Sequence, residues 1–524
     1  MTDSLPSIPT KTIFGHPAGL FVLFFTEMWE RFSFYGMKAL LIFYLVKYHL
    51  FNDDGGNLLV GSYAAMVYAL PVIGGYLADK YLGFRKAVVF GGVLLVLGHL
   101  GMVFEGSAAV RLDDGSVVRD ENSLQFFYFS LALIILGVGF LKANISSIVG
   151  ELYAKGDVRR DSGFTIFYMG INIGSALATL ICGWLGESYG WSYGFGAAGI
   201  GMIFGLITFI RGKKHLLGKG EPSDPKKLAK RTLGISTEWW IYILSILSLT
   251  VIWQMVQRHT VVEWTLVVSG IAALAVITYI VVMSKDKVVR ERLIALTILI
   301  IFSVFFWALF EQAYTSMNLF SDRAMDRMIG TFEVPTGWYL TLNAVFIVIF
   351  APVFAWLWVK LGKKKMNPNA GVKFGLAIVL VGLGFGALVL GFGATGVGKV
   401  SMTWLVLAYL LHTWGELCLS PVGLSNVTKL APAKFVGFMM GVWFLATAFS
   451  EYIASVLANF ASLDTTNGNA QNIEVAKSAY GSLFESLFYI GLVVGVILIA
   501  ISPLIKRLMH GVDDDTYTES KEAH

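Results

Sequence analysis

Long apolar segments separated by short polar ones follow one another along almost the whole chain. A bilayer core about 30 Å thick is crossed by about 20 helical residues, each of which rises about 1.5 Å. The pattern therefore predicts fourteen transmembrane helices, near residues 18–46, 58–79, 87–104, 124–148, 164–186, 190–210, 236–257, 261–284, 291–320, 337–360, 371–392, 401–429, 434–459 and 479–505. The even number of crossings predicts that both termini lie on one side of the membrane.

The longest internal polar stretch, 211–235, follows the sixth predicted span and is rich in Lys, Gly and Pro. It predicts three parts: a six-helix bundle over 18–211, a linker with a two-helix insert over 212–290, and a second six-helix bundle over 291–507. Two similar halves with a binding site between them are the usual plan of a secondary transporter.

One polar segment outside the predicted spans alternates apolar and polar residues around an Asp-Asp-Gly sequence. This segment, 108–120, has the pattern of a β-hairpin. A disordered external loop explains the same residues equally well at this stage.

Composition agrees with the pattern. Of the 524 residues, 56% are hydrophobic and 14% are charged, whereas soluble proteins carry about 25% charged residues. These values indicate an all-α polytopic membrane protein whose main surroundings are the lipid bilayer. They exclude a disulfide scaffold, a disordered chain and a nucleic-acid-binding domain as descriptions of the whole. The two cysteines, Cys182 and Cys418, fall inside apolar segments and indicate no redox compartment.

The basic residues predict the orientation in the membrane. With the N-terminus placed in the cytoplasm, 29 of the 40 Lys and Arg residues fall in cytoplasmic segments, eight in external segments and three within spans. The positive-inside rule therefore places both termini in the cytoplasm. We expect a multi-pass protein of the cell (inner) membrane.

Seven ionisable residues within the predicted spans are singled out. A charge at membrane depth is costly unless it is paired, so each is a candidate functional residue. They are Glu27, Glu30, Arg31, Lys38, Lys142, Glu311 and Glu416. The structural alternative is a set of fixed ion pairs that only hold the helices in register.

Two of these residues match in depth and differ in charge. Lys38 and Glu311 each lie 20 residues from the start of their span, about 30 Å along a helix, which predicts an external gate. Glu416 has no cation near it in sequence, which predicts a proton site or a partner for a cationic ligand group. His412, one turn earlier, is interpreted as a hydrogen-bonded core histidine.

Five segments in order resemble a known family. Residues 27–36, EMWERFSFYG, resemble the E-x-x-E-R-F-x-Y-Y-G signature of the proton-dependent oligopeptide transporters, a branch of the major facilitator superfamily. Segments 74–83, 164–174, 306–312 and 415–421 are similar to further motifs of that family. The resemblance covers about 18–505, and a two-helix insert is a feature of bacterial members. It implies the major facilitator fold, with two six-helix bundles plus the insert.

The resemblance also implies roles for matching positions. Glu27, Glu30, Arg31 and Glu416 would couple proton movement to transport, while Lys38 and Glu311 would form the gate. The substrate-binding residues would be Arg31, Tyr35, Tyr68, Lys142, Tyr168, Asn172, Trp307, Asn343, Glu416, Ser420 and Trp443. Arg31 and Lys142 would bind the peptide carboxylate, and Glu416 the amino group. Taken alone, each aromatic residue is explained more simply by packing in the core or against lipid.

Two positions depart from the family pattern. Phe34 replaces the first tyrosine of the signature, which removes a hydroxyl from the pocket edge. Lys38 stands where many members have arginine, and lysine cannot bind a carboxylate in the bidentate manner of arginine.

We therefore expect a proton-coupled symporter that imports di- and tripeptides by alternating access. The alternative within the class is a related carrier of nitrate or another small anion, which the carboxylates Glu27, Glu30 and Glu416 disfavour. A membrane-embedded hydrolase is the alternative from another class, but the chain lacks H-E-x-x-H, G-x-S-x-G and any metal-ligand cluster. No enzymatic activity, cofactor, metal or nucleic-acid partner is expected.

Overall fold

Helices dominate the structure. The computed structural model describes residues 12–154, 157, 159–463 and 472–512. Within them lie two short helices, α7 and α11, and fourteen helices of 18 residues or more. The sixteen are α1 Ala18–Phe43, α2 Asp53–Leu77, α3 Phe84–Gly101, α4 Glu121–Glu151, α5 Arg160–Tyr189, α6 Trp191–Gly212, α7 Pro225–Ala229, α8 Thr237–Val256, α9 His259–Met283, α10 Lys287–Phe310, α11 Ser316–Arg323, α12 Gly337–Lys363, α13 Ala370–Thr395, α14 Met402–Leu430, α15 Val436–Ala458 and α16 Ile473–Leu508.

Thirteen of the described helical segments are long and apolar enough to cross a membrane. The remaining long helix is α1, whose 26 residues include Glu27, Glu30, Arg31 and Lys38. These fourteen helices match the fourteen predicted spans. The predicted position of the two termini concerns residues 1–11 and 513–524, which lie outside the described residues.

The strands are short and lie in the connecting segments. They form five two-stranded pairs: β1 Thr12–Ile13 with β2 His16–Pro17, β3 Val110–Arg111 with β4 Val117–Val118, β5 Arg231–Thr232 with β6 Ile235–Ser236, β7 Met325–Asp326 with β10 Val400–Ser401, and β8 Met328–Ile329 with β9 Phe332–Glu333. The antiparallel pair β3–β4 confirms the hairpin predicted over 108–120.

One compact unit comprises the described residues within 1–40, 69–108 and 120–256. Its helices approach closely at glycines, which is how helices without a hydrophobic driving force pack in lipid. In the α3–α4 pair, a Cβ at Gly91 would lie 2.5 Å from the carbonyl oxygen of Gly137. Helix α8, the first helix of the insert, packs on α4, where Trp253 Nε1 donates to the carbonyl oxygen of Gln125 at 3.2 Å.

The linker after α6 is bound to the turn between α2 and α3. Arg85 donates from Nε and Nη2 to the two carboxylate oxygens of Glu221, at 2.6 and 3.1 Å, and its backbone N–H donates to the carbonyl of Gly220. Gly83 has φ +74°, and a Cβ there would lie 2.5 Å from the backbone nitrogen of Pro222. The segment is therefore fixed to its own unit.

This ion pair gives a modest prediction. The Arg85 guanidinium lowers the pKa of Glu221 below its usual value, so the stabilisation is complete at neutral pH and is lost as the pH falls through the lowered pKa. Because Glu221 is 37% exposed, we expect Glu221→Gln to cost less than about 1 kcal/mol. Thermal unfolding of wild type and variant should differ at pH 7, and the difference should disappear at an acidic pH below the lowered pKa. Equal differences at both pH values would contradict this prediction, and Ser223→Ala is the control.

The second compact unit comprises the described residues within 41–68, 109–119 and 257–524. In the α13–α16 pair, Gly382 approaches Gly491 so closely that a Cβ would lie 3.0 Å from the Cα of the facing glycine. Helix α9, the second helix of the insert, packs on α15 and α10. The two helices of the insert thus belong to different units. The predicted division at 18–211, 212–290 and 291–507 stays a prediction.

The start of α2 is joined to the end of α11 within this second unit. Arg323 binds Asp53 in a bidentate manner, with N···O distances of 2.6 and 2.7 Å, and Arg323 also donates to the hydroxyl of Tyr480 at 3.0 Å. The side chains of Asp53 and Arg323 are 1% and 9% exposed. The N-terminal part of α2 is therefore held by a buried ion pair.

Candidate functional site

Three of the four charged residues of α1 form one buried cluster. Arg31 Nε donates to Glu27 Oε1 at 2.8 Å and lies 2.7 Å from Glu30 Oε2. Glu27, Glu30 and Arg31 are 3%, 0% and 4% exposed. Glu27 and Arg31 are four positions apart, so both lie on one face of the helix. The cluster places two carboxylates against one guanidinium in surroundings shielded from water.

A second cation acts on this cluster. Lys142 of α4 contributes a positive charge to the electrostatic field at Glu30, together with Arg31. Its side chain is half-buried. The N-terminal half therefore supplies two positive and two negative groups, as the sequence predicted, and a change in the protonation of one carboxylate changes the net charge of a buried site.

Small residues on α5 and α6 allow α1 to take this position. A Cβ at Gly174 would overlap the carbonyl oxygen of Met28, and a Cβ at Gly170 would lie 2.9 Å from the ring of Phe24. Gly201 and Gly205 make similar close approaches to aromatic side chains of α1. Glycines of the 164–174 segment thus bring α5 against the helix that carries the charges.

The remaining predicted residues of this unit lie on α1 and α5. Tyr35 is half-buried, whereas Tyr168 is 46% exposed. Asn172 is buried, and its amide nitrogen donates to the carbonyl oxygen of Tyr168 at 3.0 Å. Lys38 lies two turns beyond Arg31 on the same helix and is 1% exposed.

The second unit presents an acidic centre. Asn343 Nδ2 of α12 donates to Glu416 Oε2 of α14 at 2.8 Å and lies 3.2 Å from Thr413 Oγ1. Glu416 is half-buried. The amide therefore orients the carboxylate without neutralising its charge. Both Asn343 and Glu416 were predicted to bind substrate, and the structure brings them into direct contact.

The structure confirms the interpretation of His412 as a hydrogen-bonded core residue. It is 1% exposed, and its Nε2 lies 3.1 Å from the carbonyl oxygen of Val381. Among the predicted pocket residues, Trp443 is buried against Gly423 on α14, where a side chain would overlap the indole ring. The other predicted pocket residues of this unit, Tyr68, Trp307 and Ser420, are half-buried.

Glu311 lies where the ninth predicted span is interrupted. Helix α10 ends at Phe310, a single tighter turn covers Glu311–Tyr314, and α11 begins at Ser316. The span predicted over 291–320 corresponds to the apolar helical segment Lys287–Arg323, which this turn divides into α10 and α11. Gln312 stabilises the interruption, because its amide donates to the carbonyl oxygen of Ala454 at 2.8 Å and its side-chain oxygen accepts from Ser316 at 2.6 Å. Lys38 and Glu311 belong to different units, and their pairing stays a prediction.

Sequence reasoning missed several polar residues of the spans. Glu451 of α15 is 4% exposed and lies in the predicted span 434–459, and Glu485 lies in the last predicted span with an exposed side chain. A search of every span for carboxylates would have found both. Among the described residues, no group of three or more His, Cys, Asp or Glu could hold a metal ion.

Comparison with known proteins decides the family. A model of the POT family matches residues 85–475. The chain belongs to the POT family. It is 41% identical to the uncharacterized transporter YclF of Bacillus subtilis strain 168, over 97% of this chain and 98% of that protein. It is 37% identical to the di-/tripeptide transporter of Lactococcus lactis subsp. cremoris, over 96% of this chain and 98% of that protein.

A solved structure agrees with these relatives. The crystal structure of the peptide transporter POT in complex with sulfate has a TM-score of 0.79 and 36% sequence identity, covering 96% of this chain and 98% of that chain. The all-α polytopic fold of the major facilitator type is confirmed. As a member of the POT family, the chain is a membrane transporter and not an enzyme. The nitrate alternative finds no support in these comparisons.

Proposed function

We propose that the protein is a symporter that imports di- and tripeptides together with protons. The observation that carries the proposal is the buried α1 cluster, in which Glu27 and Glu30 share Arg31, in a chain 37% identical to a di-/tripeptide transporter. A cluster of this charge would serve a carrier of small anions poorly, because its carboxylates oppose the cations that an anion requires.

The cluster offers a route to proton coupling. Two carboxylates that share one guanidinium carry a net charge of −1. The positive charge of Lys142 compensates this charge when no substrate is bound. When Lys142 and Arg31 turn to a substrate carboxylate, a proton on Glu27 or Glu30 restores the balance. Coupling then follows from the high cost of an uncompensated charge in a buried site.

Substrate recognition follows from the two charged centres. We propose that Arg31 and Lys142 bind the peptide carboxylate and that Glu416, oriented by Asn343, binds the amino group. The pocket between these contacts would be lined by Tyr35, Tyr68, Tyr168, Asn172, Trp307, Ser420 and Trp443. Charged contacts at the two ends of a peptide leave its side chains free to vary in an aromatic pocket.

We also propose that both termini lie in the cytoplasm and that the protein resides in the cell (inner) membrane. The excess of Lys and Arg on the side of the 211–235 linker supports this orientation. In alternating access, the two halves 18–211 and 291–507 would move against each other.

Uptake by proteoliposomes tests the function. Purified protein is reconstituted, a labelled dipeptide is supplied outside, and accumulation is followed with and without an inward proton gradient. We expect accumulation above the external concentration only with the gradient. Nitrate in excess should not compete. Accumulation that is the same with and without the gradient would reject proton coupling, and the absence of any dipeptide uptake would reject the substrate.

Substitutions at the proposed gate should have an intermediate effect on the uptake rate. Lys38 and Glu311 have opposite charges at the same predicted depth, and each is buried. We expect Lys38→Gln or Glu311→Gln to slow uptake several-fold, because one charge then lacks its partner when the outer side closes. The charge reversal Lys38→Glu with Glu311→Lys should recover part of the rate. If the double variant is no faster than either single variant, the two residues are not partners.

A further inference from the structure

The connection between the linker and α8 is a hairpin with an apolar residue at its tip. Strands β5 and β6 pair with Arg231 opposite Ser236, and Leu233 and Gly234 form the two-residue turn. Both turn residues have positive φ, 53° for Leu233 and 79° for Gly234, which defines a type I′ turn. Asn or Gly is preferred at the first position, and a bulky apolar residue there is strained.

The strained residue is also exposed. Leu233 is 85% exposed, and a Cβ placed on Gly234 would meet nothing within 4 Å. The turn therefore carries a large apolar side chain that the described protein does not cover. A single exposed apolar residue is ordinary on a protein surface, so its meaning depends on what surrounds the turn.

The hairpin is fixed to the first turn of a transmembrane helix. Thr237, the first residue of α8, donates its N–H to the carbonyl oxygen of Lys230 at 2.9 Å. Trp240 Nε1 donates to the carbonyl oxygen of Thr232 at 2.9 Å, and the neighbouring Trp239 is 63% exposed. Tryptophans at the end of a membrane span mark the level of the lipid headgroups. The hairpin thus lies where a membrane surface begins.

The charge around the tip fits an anionic surface. Lys226, Lys230 and Arg231 are exposed, and among the described residues none of them forms an ion pair. The nearby carboxylates of Glu221 and Glu238 are bound to Arg85 and Lys86. Basic residues next to a membrane span attract anionic headgroups.

We propose that this hairpin, residues 230–236, is a lipid-binding element: Leu233 inserts at the boundary between headgroups and acyl chains, and Lys230 and Arg231 bind anionic phospholipid headgroups. The element lies on the face that we propose is cytoplasmic. It fixes the linker end at the membrane surface, so that a segment already bound to the α2–α3 turn is held from both sides.

Site-specific labelling tests the position of the tip. The native cysteines are buried, so Leu233→Cys can be labelled with an environment-sensitive fluorophore in the full chain. Ser223→Cys, an exposed position of the same linker, is the matched control. In vesicles of phosphatidylethanolamine and phosphatidylglycerol, we expect iodide to quench the label at 233 roughly threefold less than at 223, and spin-labelled lipids to quench it more.

Changing the lipid composition distinguishes an anionic lipid surface from other possible partners of the tip. Replacing phosphatidylglycerol by phosphatidylcholine, or introducing Lys230→Gln with Arg231→Gln, should increase iodide quenching at position 233. Equal protection in both lipid mixtures would overturn the assignment to anionic lipid. Full exposure to iodide in vesicles, with protection only in native membranes, would overturn the lipid surface in favour of a protein partner.

A second variant keeps the turn but removes the apolar tip. Leu233→Asn gives Asn-Gly, the preferred type I′ pair, so folding should be retained. We expect amide hydrogen exchange over residues 226–236 to accelerate in anionic nanodiscs. Val397→Asn, at an 89% exposed apolar tip elsewhere in the chain, should leave that exchange unchanged. Unaltered exchange in Leu233→Asn would overturn the proposal.

Discussion

Glu27→Gln and Glu30→Gln should each abolish gradient-driven accumulation of dipeptide while leaving exchange between equal peptide pools largely intact. In the wild type, Arg31 Nε lies 2.8 Å from Glu27 Oε1 and 2.7 Å from Glu30 Oε2. Glutamine has the same size as glutamate and keeps a side-chain oxygen for Arg31, but it cannot gain or lose a proton. The substrate contacts remain, so exchange continues. The step that links peptide movement to a proton is lost.

Two assays on the same proteoliposomes separate these effects. Accumulation is measured under an inward proton gradient, and counterflow is measured with unlabelled peptide inside and no gradient. For both variants, accumulation should fall to the value that wild type shows without a gradient. Counterflow should stay within a few-fold of wild type.

Glu485→Gln is the matched control. It removes a carboxylate from a transmembrane helix, but Glu485 is exposed on α16 and lies far along the chain from the α1 cluster. Accumulation by this variant should equal that of wild type. Normal accumulation by both α1 variants would contradict the coupling role, and loss of counterflow along with accumulation would assign the two carboxylates to peptide binding or to the fold instead.

The positions of the helices could be predicted because membrane spans need only length and apolarity. The spans predicted over 371–392 and 401–429, for example, end within a few residues of the ends of α13 and α14, at Thr395 and Leu430. The α1 cluster was equally accessible, since Glu27 and Arg31 are four residues apart on one helix. The contact between Asn343 and Glu416 was not predicted, because they lie 73 residues apart; the family resemblance only assigned each of them to the substrate site.

The turn after α10 could not be predicted from hydropathy, because the change from apolar residues before Glu311 to more polar ones over 312–323 does not show whether the helix continues. It is stabilised by Gln312, which binds a carbonyl oxygen 142 residues away. The contact of the linker with Arg85 is similarly long-range, over 136 residues. Interactions of this kind depend on which helices become neighbours, and a periodic pattern carries no such information.

Glu416→Gln should weaken binding of free-amine dipeptides by roughly 10–100-fold and barely affect analogues whose amino group is acetylated. A charge-assisted hydrogen bond contributes about 1.5–3 kcal/mol, and about 1.4 kcal/mol corresponds to a tenfold change in affinity. Asn343 can donate to the glutamine oxygen as it does to Glu416 at 2.8 Å, so the local structure should persist. Only the negative charge that faces the ammonium is removed.

Competition binding with both ligand types measures this selectivity. Thr413→Val is the control, because it removes the hydroxyl 3.2 Å from Asn343 but leaves the carboxylate, and any loss should be similar for both ligands. Selectivity for the free amine should therefore collapse in Glu416→Gln and persist in Thr413→Val. An equal loss of both ligands in Glu416→Gln would show that the carboxylate shapes the pocket or carries the proton. If Glu416 binds the peptide amino group, the affinity for the acetylated analogue should be unchanged in Glu416→Gln, because that ligand has no positive charge for Glu416 to compensate.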